Sequence, residues 1–419
     1  MKTRRKFLAA SAAALATPYL ALGQKATPPS KRLRVAVMGL SRGIAHIKGF
    51  AKVSGVEVVA VCDPDSQRLA RGVAETEKAT GTKPTAVADF RKILDDKTVD
   101  ALAVAAPNFW HTPATVMACA AGKHVYVEKP GSYCAEEARL ITDAAMEYDR
   151  KVQMGAQRRS LPLYKEFVER LRAGDIGTLR TARCFYTNRR GSIGKGKPAK
   201  VPAHLDYGLW QGPAPAREYK DNVVHYKWHW HWHWGNGELG NNGVHALDIA
   251  RWGLGVGLPN KATCSGGRYH FDDDQETPDT ATAVYDFGHV SASWEGSSCL
   301  QRKGENLPFV AFYGDKGTLL TSGRHDYKIL DADGKEVESK EESFTDIPHF
   351  QNFVDSVRED TPLNLPIDDA QKSALLCHIG NISYQTGKTV HLDPKDPSKS
   401  KNLPNWSRKS YTPAFSPIL

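Results

Sequence analysis

The chain has 419 residues, of which 41% are hydrophobic and 25% charged, and a formal net charge of +9 at pH 7. This length suits two domains, because a single core rarely grows beyond about 250–300 residues. The composition is typical of a soluble globular protein. Its basic residues are not interleaved with aromatics along a run, so we expect no nucleic-acid partner. Seven cysteines without a C-x-x-C pair predict neither a disulfide framework nor a zinc ribbon.

The first 24 residues have the pattern of an export signal. Twin arginines at positions 4 and 5 precede an apolar stretch from Ala9 to Leu22 that ends in small residues. This order is typical of a signal peptide, and the twin arginines resemble a Tat signal. We therefore expect residues 1–24 to be removed, residues 25–32 to form a linker, and the mature protein to be periplasmic and free of the membrane. An uncleaved anchor or a disordered start is the alternative.

Residues 33–155 alternate short apolar strands with helices. The strands are predicted at residues 33–38, 56–62, 101–105, 124–127 and 152–154. The intervening helices are predicted at residues 44–52, 66–80, 90–94, 112–121 and 136–148. Repeated alternation of this kind specifies a parallel sheet with both faces covered, so we predict an α/β fold that begins with a Rossmann doubly wound domain.

Residues 156–393 have a different texture, with longer and more alternating strands. These strands are predicted at residues 180–187, 281–287, 290–294 and 310–313, and closing helices at residues 349–358 and 370–385. The pattern predicts an α+β domain for substrate and subunit contacts, with a large, open, mostly antiparallel sheet. An open sheet favours burial against a symmetry mate, so we expect a homodimer or homotetramer. Residues 394–419, rich in Pro, Ser and Lys, are predicted to form an extended tail.

A glycine turn follows the first predicted strand. A strand, a glycine turn and a helix let backbone N–H groups meet a pyrophosphate, so we expect Gly39, Ser41 and Gly43 to contact a dinucleotide, with Arg42 on its adenine or phosphate. The spacing departs from G-x-G-x-x-G. The same letters also match G-x-S-x-G, the nucleophile elbow of a serine hydrolase, which is the alternative.

Asp63 lies 24 residues after Gly39, at the end of the second predicted strand. A carboxylate there accepts hydrogen bonds from both ribose hydroxyls and repels a 2′-phosphate, which favours NAD over NADP. A helix-capping aspartate is the alternative.

Taken in order along the chain, these motifs and those at residues 107–111, 128–130 and 240–248 resemble the glucose–fructose oxidoreductase / inositol dehydrogenase (Gfo/Idh/MocA) family. The segment from Pro107 to His111 resembles its stretch beside the nicotinamide ribose, and Glu128-Lys129-Pro130 resembles its E-K-P signature. The resemblance implies a set of cofactor contacts: Pro107, Asn108, His111, Glu128, Lys129 and Gln157. It also implies that Arg158 binds substrate and that Lys129 lies beside the nicotinamide, where an ammonium can stabilise a developing alkoxide. A solvated surface lysine is the alternative.

The stretch from Gly240 to Asp248 resembles the family's D-x-x-x-H signature, with Asn241 where Asp is usual. Residues 241, 245 and 248 share one face of a helix. We therefore expect His245 to contact substrate and act as general base, and Asn241 to orient it. Asp248 either assists or pairs with Arg251. The alternatives are a buried structural His245 and, because of Asn241, a non-catalytic sugar-binding protein.

Residues 228–234 alternate tryptophan and histidine. An extended segment would place four tryptophans on one face and three histidines on the other, so we interpret Trp230 and Trp232 as a wall that stacks on sugar rings. The alternative is tryptophan packing in the core or between subunits. We expect no metal, because histidines two apart on one face are roughly 6.5–7 Å from each other, which chelation would have to shorten by a bend.

The sequence thus predicts an exported NAD-dependent oxidoreductase that acts on a carbohydrate or polyol, with Lys129 and His245 handling the proton. Free nicotinamide cofactor is scarce outside the cytoplasm, so we expect it to be tightly bound. A resident cofactor makes a redox-neutral reaction the alternative: glycoside hydrolysis through oxidation, elimination, hydration and reduction, which related members of the family perform.

Overall fold

The computed structural model describes residues 32–417. The predicted signal peptide and nearly all of the predicted linker lie outside the described residues, and both stay predictions. Within residues 32–417, no helix has both the length and the apolar composition that crossing a bilayer requires.

The first domain is built on a parallel sheet of six strands in the order β3-β2-β1-β4-β5-β6. The strands are β1 (Leu33–Met38), β2 (Val56–Cys62), β3 (Thr85–Val87), β4 (Ala101–Val104), β5 (His124–Glu128) and β6 (Val152–Gly155). The helices between them are α1 (Gly43–Phe50), α2 (Ser66–Thr80), α3 (Arg91–Asp95), α4 (Asn108–Ala120) and α5 (Ala135–Glu147). The predicted Rossmann sheet is confirmed, with β3 added at its edge. Strand β1 pairs with both β2 and β4, so the winding reverses there and leaves a crevice at the carboxyl ends of the strands.

The second domain contains a sheet of nine strands in the order β14-β13-β12-β11-β7-β10-β9-β8-β15. The strands are β7 (Leu179–Thr187), β8 (Lys261–Gly267), β9 (Thr280–Asp286), β10 (Ser291–Ser297), β11 (Val310–Gly314), β12 (Gly317–Thr321), β13 (Asp326–Asp331), β14 (Glu336–Glu341) and β15 (Val390–His391). All neighbours pair antiparallel except β7 and β10, which run parallel. The prediction of an open, mostly antiparallel sheet is therefore confirmed.

Further helices pack either on this second sheet or against the first domain. They are α6 (Pro162–Ala173), α7 (Tyr207–Gln211), α8 (Val244–Leu254), α9 (Ile347–Glu359) and α10 (Ile367–Thr386). Trp294, Tyr285 and Phe312 point from the sheet into the core beneath α8 and α10. Helix α9 packs against α1, where the rings of Phe50 and Phe350 lie 4.7 Å apart. The two domains are thus held around a shared crevice.

Two irregular segments also join the domains. Between β7 and α8 the chain crosses to the Rossmann sheet, where the Ser66 N–H donates to the carbonyl of His204 at 2.8 Å. The described part of the C-terminal tail contains two short 3-10 turns, Pro397–Ser400 and Pro413–Phe415. Trp406 and Phe415 are buried and anchor the tail in the two cores, and the bounds of the extended tail stay a prediction.

Candidate active site

A cleft of about 690 Å³ occupies the crevice between the two domains. Its floor is the carboxyl edge of the Rossmann sheet, with the β1–α1 turn, the end of β2, the start of α4 and the end of β5. Its roof comes from the segment around residues 209–229 and from α8. Most of the predicted site residues line this cleft: Gly39, Ser41, Arg42, Asp63, Pro107, Asn108, His111, Glu128, Lys129, Gln157, Arg158 and His245.

The glycine turn is shaped to receive a phosphate. Gly39 has φ +88°, and a Cβ there would lie 2.6 Å from the carbonyl carbon of Ala105, so only glycine fits this close approach. The backbone N–H groups of Ser41 and Arg42 have no acceptor among the described residues. They lie at the start of α1, where unpaired N–H groups and the helix dipole favour an anion. Gly43 is buried as the first residue of α1 and bonds back to Gly39, so it packs the turn rather than lining the cleft.

The serine-hydrolase alternative for Ser41 finds no support in this geometry. The Ser41 hydroxyl accepts a hydrogen bond from the Arg68 guanidinium. A nucleophilic serine requires a base that takes its proton, and an arginine cannot take one. Ser41 thus belongs to the turn that faces a phosphate.

Asp63 lies at the end of β2, as the sequence predicts, but its carboxylate already holds the neighbouring backbone. One oxygen accepts from the Leu40 N–H at 2.8 Å, and the other accepts from the Asp65 N–H at 2.9 Å. Burial raises the pKa of Asp63 above its usual value, although both backbone hydrogen bonds act in the opposite direction. Each carboxylate oxygen has a second lone pair, so the group can still accept from a ribose hydroxyl.

The start of α4 brings three predicted residues to the cleft. Pro107 is the N-cap residue of the helix, and the Asn108 amide donates to the side-chain oxygen of Asn236 at 3.0 Å, which ties the helix to the chain ahead of α8. The Nε2 atom of His111 lies 2.9 Å from the carbonyl oxygen of Ala106, so this nitrogen carries the proton. Its Nδ1 atom is buried and has no hydrogen-bond partner among residues 32–417. Burial lowers the pKa of His111 to about 4. This unpaired acceptor in the cleft wall fits a cofactor that donates to it.

Glu128 is fixed at the end of β5 by two side chains. Its carboxylate accepts from His46 Nε2 at 2.8 Å and from Arg42 Nε at 2.9 Å. Burial would raise the pKa of Glu128, but the His46 hydrogen bond and the Arg42 charge hold it well below its usual value. The Arg42 guanidinium bridges Glu128 and Asp346, and its expected contact to adenine or phosphate stays a prediction. Sequence reasoning did not find His46, which has no motif and lies buried on the inner face of α1.

Lys129 lies at the inner end of the cleft, where Asn241 holds it. Its ammonium donates to the Asn241 carbonyl oxygen at 2.6 Å and to the Asn241 side-chain oxygen at 3.0 Å. Residues Leu239–Gly243 form a π-turn ahead of α8, and this wider turn frees the carbonyl for the lysine. Burial lowers the pKa of Lys129. Asn241 therefore positions Lys129, and not His245 as the sequence predicts.

His245 is the second residue of α8 and faces the same cleft. Neither ring nitrogen bonds to another residue within the described range, so both are open to a ligand. Burial, together with the charges of Lys129 and Arg158, holds the pKa of His245 well below its usual value. The ring is therefore neutral near pH 7 and able to accept a proton.

Asp248 is not part of this cleft, which corrects the expectation of a catalytic role. Its carboxylate forms a bidentate pair with Arg159, at 2.8 Å to Nε and 2.7 Å to Nη2, and accepts from Ser373 at 2.7 Å. Arg251, the expected partner, lies farther away at 4.0 Å. Asp248 and Arg159 are 2% and 6% exposed, so the pair is a buried link between α8 and the chain that follows β6.

Gln157 and Arg158 follow β6 and reach the cleft wall. The Gln157 amide donates to the hydroxyl of Tyr126 at 3.3 Å. Arg158 donates from Nε to the carbonyl of Gly323 at 2.6 Å, and its guanidinium lies 5.3 Å from the ring centre of Phe309. Arg158 is thereby held at the side of the cleft that the second domain forms.

The tryptophan–histidine segment is not extended, so the prediction of a flat aromatic wall is wrong. Residues Lys227–Trp230 form a 3-10 turn, and the chain then folds back on itself. Trp230 is buried and packs under the Arg190 guanidinium, and Trp232 lies at a separate surface cleft near Tyr384. Neither lines the central cleft, which is instead contacted by Trp228 and His229. Within residues 32–417, no group of three or more His, Cys, Asp or Glu side chains is arranged to hold a metal ion.

Three features together define a dinucleotide-binding oxidoreductase: a Rossmann sheet, a glycine turn that can receive a phosphate, and a lysine at the inner end of the cleft. Residues 33–156 match the profile described as "Oxidoreductase family, NAD-binding Rossmann fold". Residues 187–402 match "Oxidoreductase family, C-terminal alpha/beta domain" of the same family. The chain therefore belongs to the Gfo/Idh/MocA oxidoreductase family, and its first domain is the nicotinamide-cofactor domain of that family.

Curated relatives carry two kinds of name. The rhizopine catabolism protein MocA of Rhizobium meliloti is 25% identical over 281 residues, which cover 66% of this chain and 73% of that protein. A glycosyl hydrolase family 109 protein of Shewanella sp. (strain W3-18-1) is 30% identical over 132 residues, which cover 30% of this chain and only 29% of that protein. The second match thus spans less than a third of the relative's length.

Solved structures share the fold. The WlbA dehydrogenase of Bordetella pertussis, in complex with NADH and UDP-GlcNAcA, superposes with a TM-score of 0.65 at 19% identity and covers 86% of this chain and 99% of that one. The aldose–aldose oxidoreductase of Caulobacter crescentus, complexed with glycerol, superposes with a TM-score of 0.67 at 18% identity and covers 86% and 100%. At these identities the likeness establishes the architecture alone.

Proposed function

We propose that this protein is an exported NAD-dependent oxidoreductase that acts on a sugar or polyol. The observation that carries the proposal is the pairing of a positioned ammonium with a neutral imidazole at the inner end of the cofactor cleft. Lys129 is fixed by two hydrogen bonds to Asn241, and His245 faces the same space with both ring nitrogens open.

The residues present fit a nicotinamide dinucleotide. The Gly39 turn offers free N–H groups to a pyrophosphate, Asp63 stands where the adenosine ribose lies in this fold, and His111 presents an unpaired Nδ1. The bound cofactor supplies the hydride acceptor. Asp63 supports NAD over NADP, because its carboxylate opposes a 2′-phosphate.

The chain's own groups handle the substrate oxygen and its proton. The Lys129 ammonium donates a hydrogen bond to the reacting oxygen and stabilises the negative charge that develops on it. His245, neutral near pH 7, takes the hydroxyl proton. Arg158 lies across the cleft, where its guanidinium can hold other hydroxyl groups of the substrate.

The experiment is a substrate screen with a defined cofactor. Purified protein is mixed with NAD or NADP and a panel of sugars and polyols, and NADH formation is followed by absorbance. We expect turnover with at least one sugar, a preference for NAD, and loss of turnover in Lys129→Met. Turnover that is unchanged in both Lys129→Met and His245→Gln would reject the assignment.

The second candidate is redox-neutral glycoside hydrolysis, which the similarity to glycosyl hydrolase family 109 proteins supports. Such a reaction oxidises the sugar, eliminates the aglycone, adds water and reduces the product, so it consumes no cofactor. Purified protein with a glycoside and no added NAD should then release many sugars per bound cofactor. Accumulation of one NADH per protein, without further sugar release, would contradict it.

Export and retention of the cofactor are part of the proposal. The arginines at positions 4 and 5 support passage through a Tat-type route to the periplasm, where a tightly held NAD would need no exchange. Replacing both arginines by lysine should leave the chain in the cytoplasm, and unchanged export would argue against this route.

Mass spectrometry of nucleotide released on denaturation tests whether the protein retains its cofactor. A homodimer or homotetramer, formed through the open sheet face, is testable by light scattering.

A further inference from the structure

The histidine of the tryptophan–histidine segment that reaches the cleft is His229. Its ring stacks on the indole of Trp228, with ring centres 3.6 Å apart and planes 20° from parallel. Its Nδ1 atom lies 2.6 Å from the backbone carbonyl oxygen of Tyr226. Both contacts come from the same 3-10 turn, so the orientation of the ring is set before any ligand binds.

The contact to Tyr226 also fixes which nitrogen of His229 carries the proton. A carbonyl oxygen can only accept, so Nδ1 donates and Nε2 of the neutral ring has a free lone pair. Nε2 has no hydrogen-bond partner in the described part of the chain and is not enclosed by protein atoms. His229 and Lys129 line the same cleft, so this lone pair is available to a ligand in that cleft.

The surroundings keep His229 neutral. Burial lowers its pKa to about 3, and the positive charges of Lys129 and Arg190 act in the same direction. Among residues 32–417, four histidines line the cleft, but His111 bonds to the Ala106 carbonyl and His225 to the Asp65 carboxylate. His229 and His245 have neither contact, and the charge of Lys129 acts on both. Oxidation of an alcohol requires one proton acceptor, so a simple dehydrogenase needs only one of these two imidazoles.

We propose that His229 is a second base, which removes a proton from the carbon next to a substrate carbonyl. The proposal rests on the proposed function, and it names keto-sugars with an enolisable C–H bond as the ligand class of this site. The C–H bond breaks, its proton moves to Nε2 of His229, and its electron pair forms the C=C bond of an enolate. The enolate oxygen takes the negative charge beside the Lys129 ammonium. Return of the proton reverses the step, and departure of a group from the next carbon, with its bonding pair, completes an elimination.

Hydrogen exchange on a keto-sugar tests this step without any net redox change. NAD-loaded full-length protein is mixed in D₂O with methyl 3-keto- or 4-keto-hexopyranosides, and proton NMR follows the loss of the signals next to the carbonyl. We expect wild-type protein to accelerate the exchange over buffer and His229→Asn to slow it by about 100-fold or more, the range for loss of a general base. His229→Phe keeps a ring on Trp228 and should give the same loss, which guards against a folding defect in the first variant.

His233→Asn is the matched control. His233 belongs to the same segment, but its Nε2 atom bonds to the carbonyl oxygen of Pro215 at 2.8 Å and the residue lies outside the cleft. Its substitution should leave exchange within about twofold of wild type, since the base itself is untouched. A single-turnover measurement of sugar oxidation runs in parallel, and there we expect His233→Asn to retain the wild-type rate within about twofold.

The outcomes separate this inference from the proposed function. Exchange at the wild-type rate in both His229 variants, or no acceleration by wild-type protein, overturns the second base while sugar oxidation can still stand. Exchange that depends on His229, in a protein that oxidises no sugar, supports the second base and rejects the oxidoreductase proposal.

Discussion

Asp248→Asn distinguishes a structural from a catalytic carboxylate. Asp248 accepts two short hydrogen bonds from Arg159 and one from Ser373, and both members of the ion pair are buried. Breaking a buried pair leaves an uncompensated charge and costs about 3–5 kcal/mol. Asp369 lies 3.3 Å from Arg159 and retains part of the compensation, so we expect the lower end, about 3 kcal/mol. For a domain of this size that is a fall in Tm of about 6–12 °C.

Thermal unfolding of purified variants measures this loss. Asp143→Asn, on the surface of α5 and paired with Arg139, is the matched control and should cost less than about 1 kcal/mol. The double variant Arg159→Met with Asp248→Leu removes both charges and should recover much of the stability. Below the melting temperature, Asp248→Asn should turn over sugar at a rate near wild type. A Tm that does not change, together with a rate reduced about 100-fold, would refute the structural assignment and restore Asp248 to catalysis.

The pH dependence of this stability has a definite sign. Burial would raise the pKa of Asp248, but the charge and hydrogen bonds of Arg159 lower it below the usual value. The carboxylate therefore stabilises the fold fully above its unfolded pKa of about 3.9, and this contribution is lost as pH falls through the folded value. The Tm difference between wild type and Asp248→Asn should accordingly be constant near neutrality and shrink in acid.

Three further predictions concern the cleft. Lys129→Met should lower turnover by about 100–1,000-fold while bound nucleotide, measured by mass spectrometry, stays at the wild-type level. Asn241→Asp places a carboxylate where the amide oxygen now lies 3.0 Å from the ammonium, so the lowered pKa of Lys129 should rise. The loss of kcat/KM at alkaline pH should then move to higher pH. If the pH of this loss does not move, the result counts against Lys129 acting as an ammonium. Since the pKa of His245 is held well below 6.5, wild-type kcat/KM should not fall between pH 8 and pH 6.5, and His245→Gln should reduce it by about 100-fold.

The first domain could be predicted because its strands are specified by short, local sequence patterns. Strands buried on both faces are nearly continuous apolar runs, and the chemistry of such a sheet lies where those runs end. Asp63 follows directly from this rule, whereas Glu128 and Lys129 were assigned through the resemblance to the E-K-P signature of the family. Strand β3 did not, because Thr85–Val87 is short and its side chains are largely exposed, which leaves no apolar run to recognise.

Partners within the cleft could not be predicted, since they depend on contacts between distant segments. His46 and Glu128 are 82 positions apart, and Arg159 and Asp248 are 89 apart. Helical spacing correctly placed His245 and Asp248 on the same helix. It could not show that the Asp248 carboxylate pairs with Arg159. Spacing predicts which residues share a helical face only where the helix is regular. The π-turn at Leu239–Gly243 changes the rotation about the helix axis between Asn241 and the residues that follow.

The tryptophan–histidine segment shows how a strong local pattern can predict the wrong conformation. Strict alternation has a period of two, which favours a strand, but it says only that two kinds of side chain need different surroundings. Those surroundings are supplied by the rest of the fold: Arg190 covers Trp230, and Gly235 brings the chain back so closely that a Cβ there would lie 2.3 Å from the carbonyl oxygen of His229. The chain therefore folds back on itself after the turn at Lys227–Trp230, and His229 lines the central cleft. The close approach at Gly235, a glycine outside the repeat, is thus part of the geometry of this segment that the alternation could not indicate.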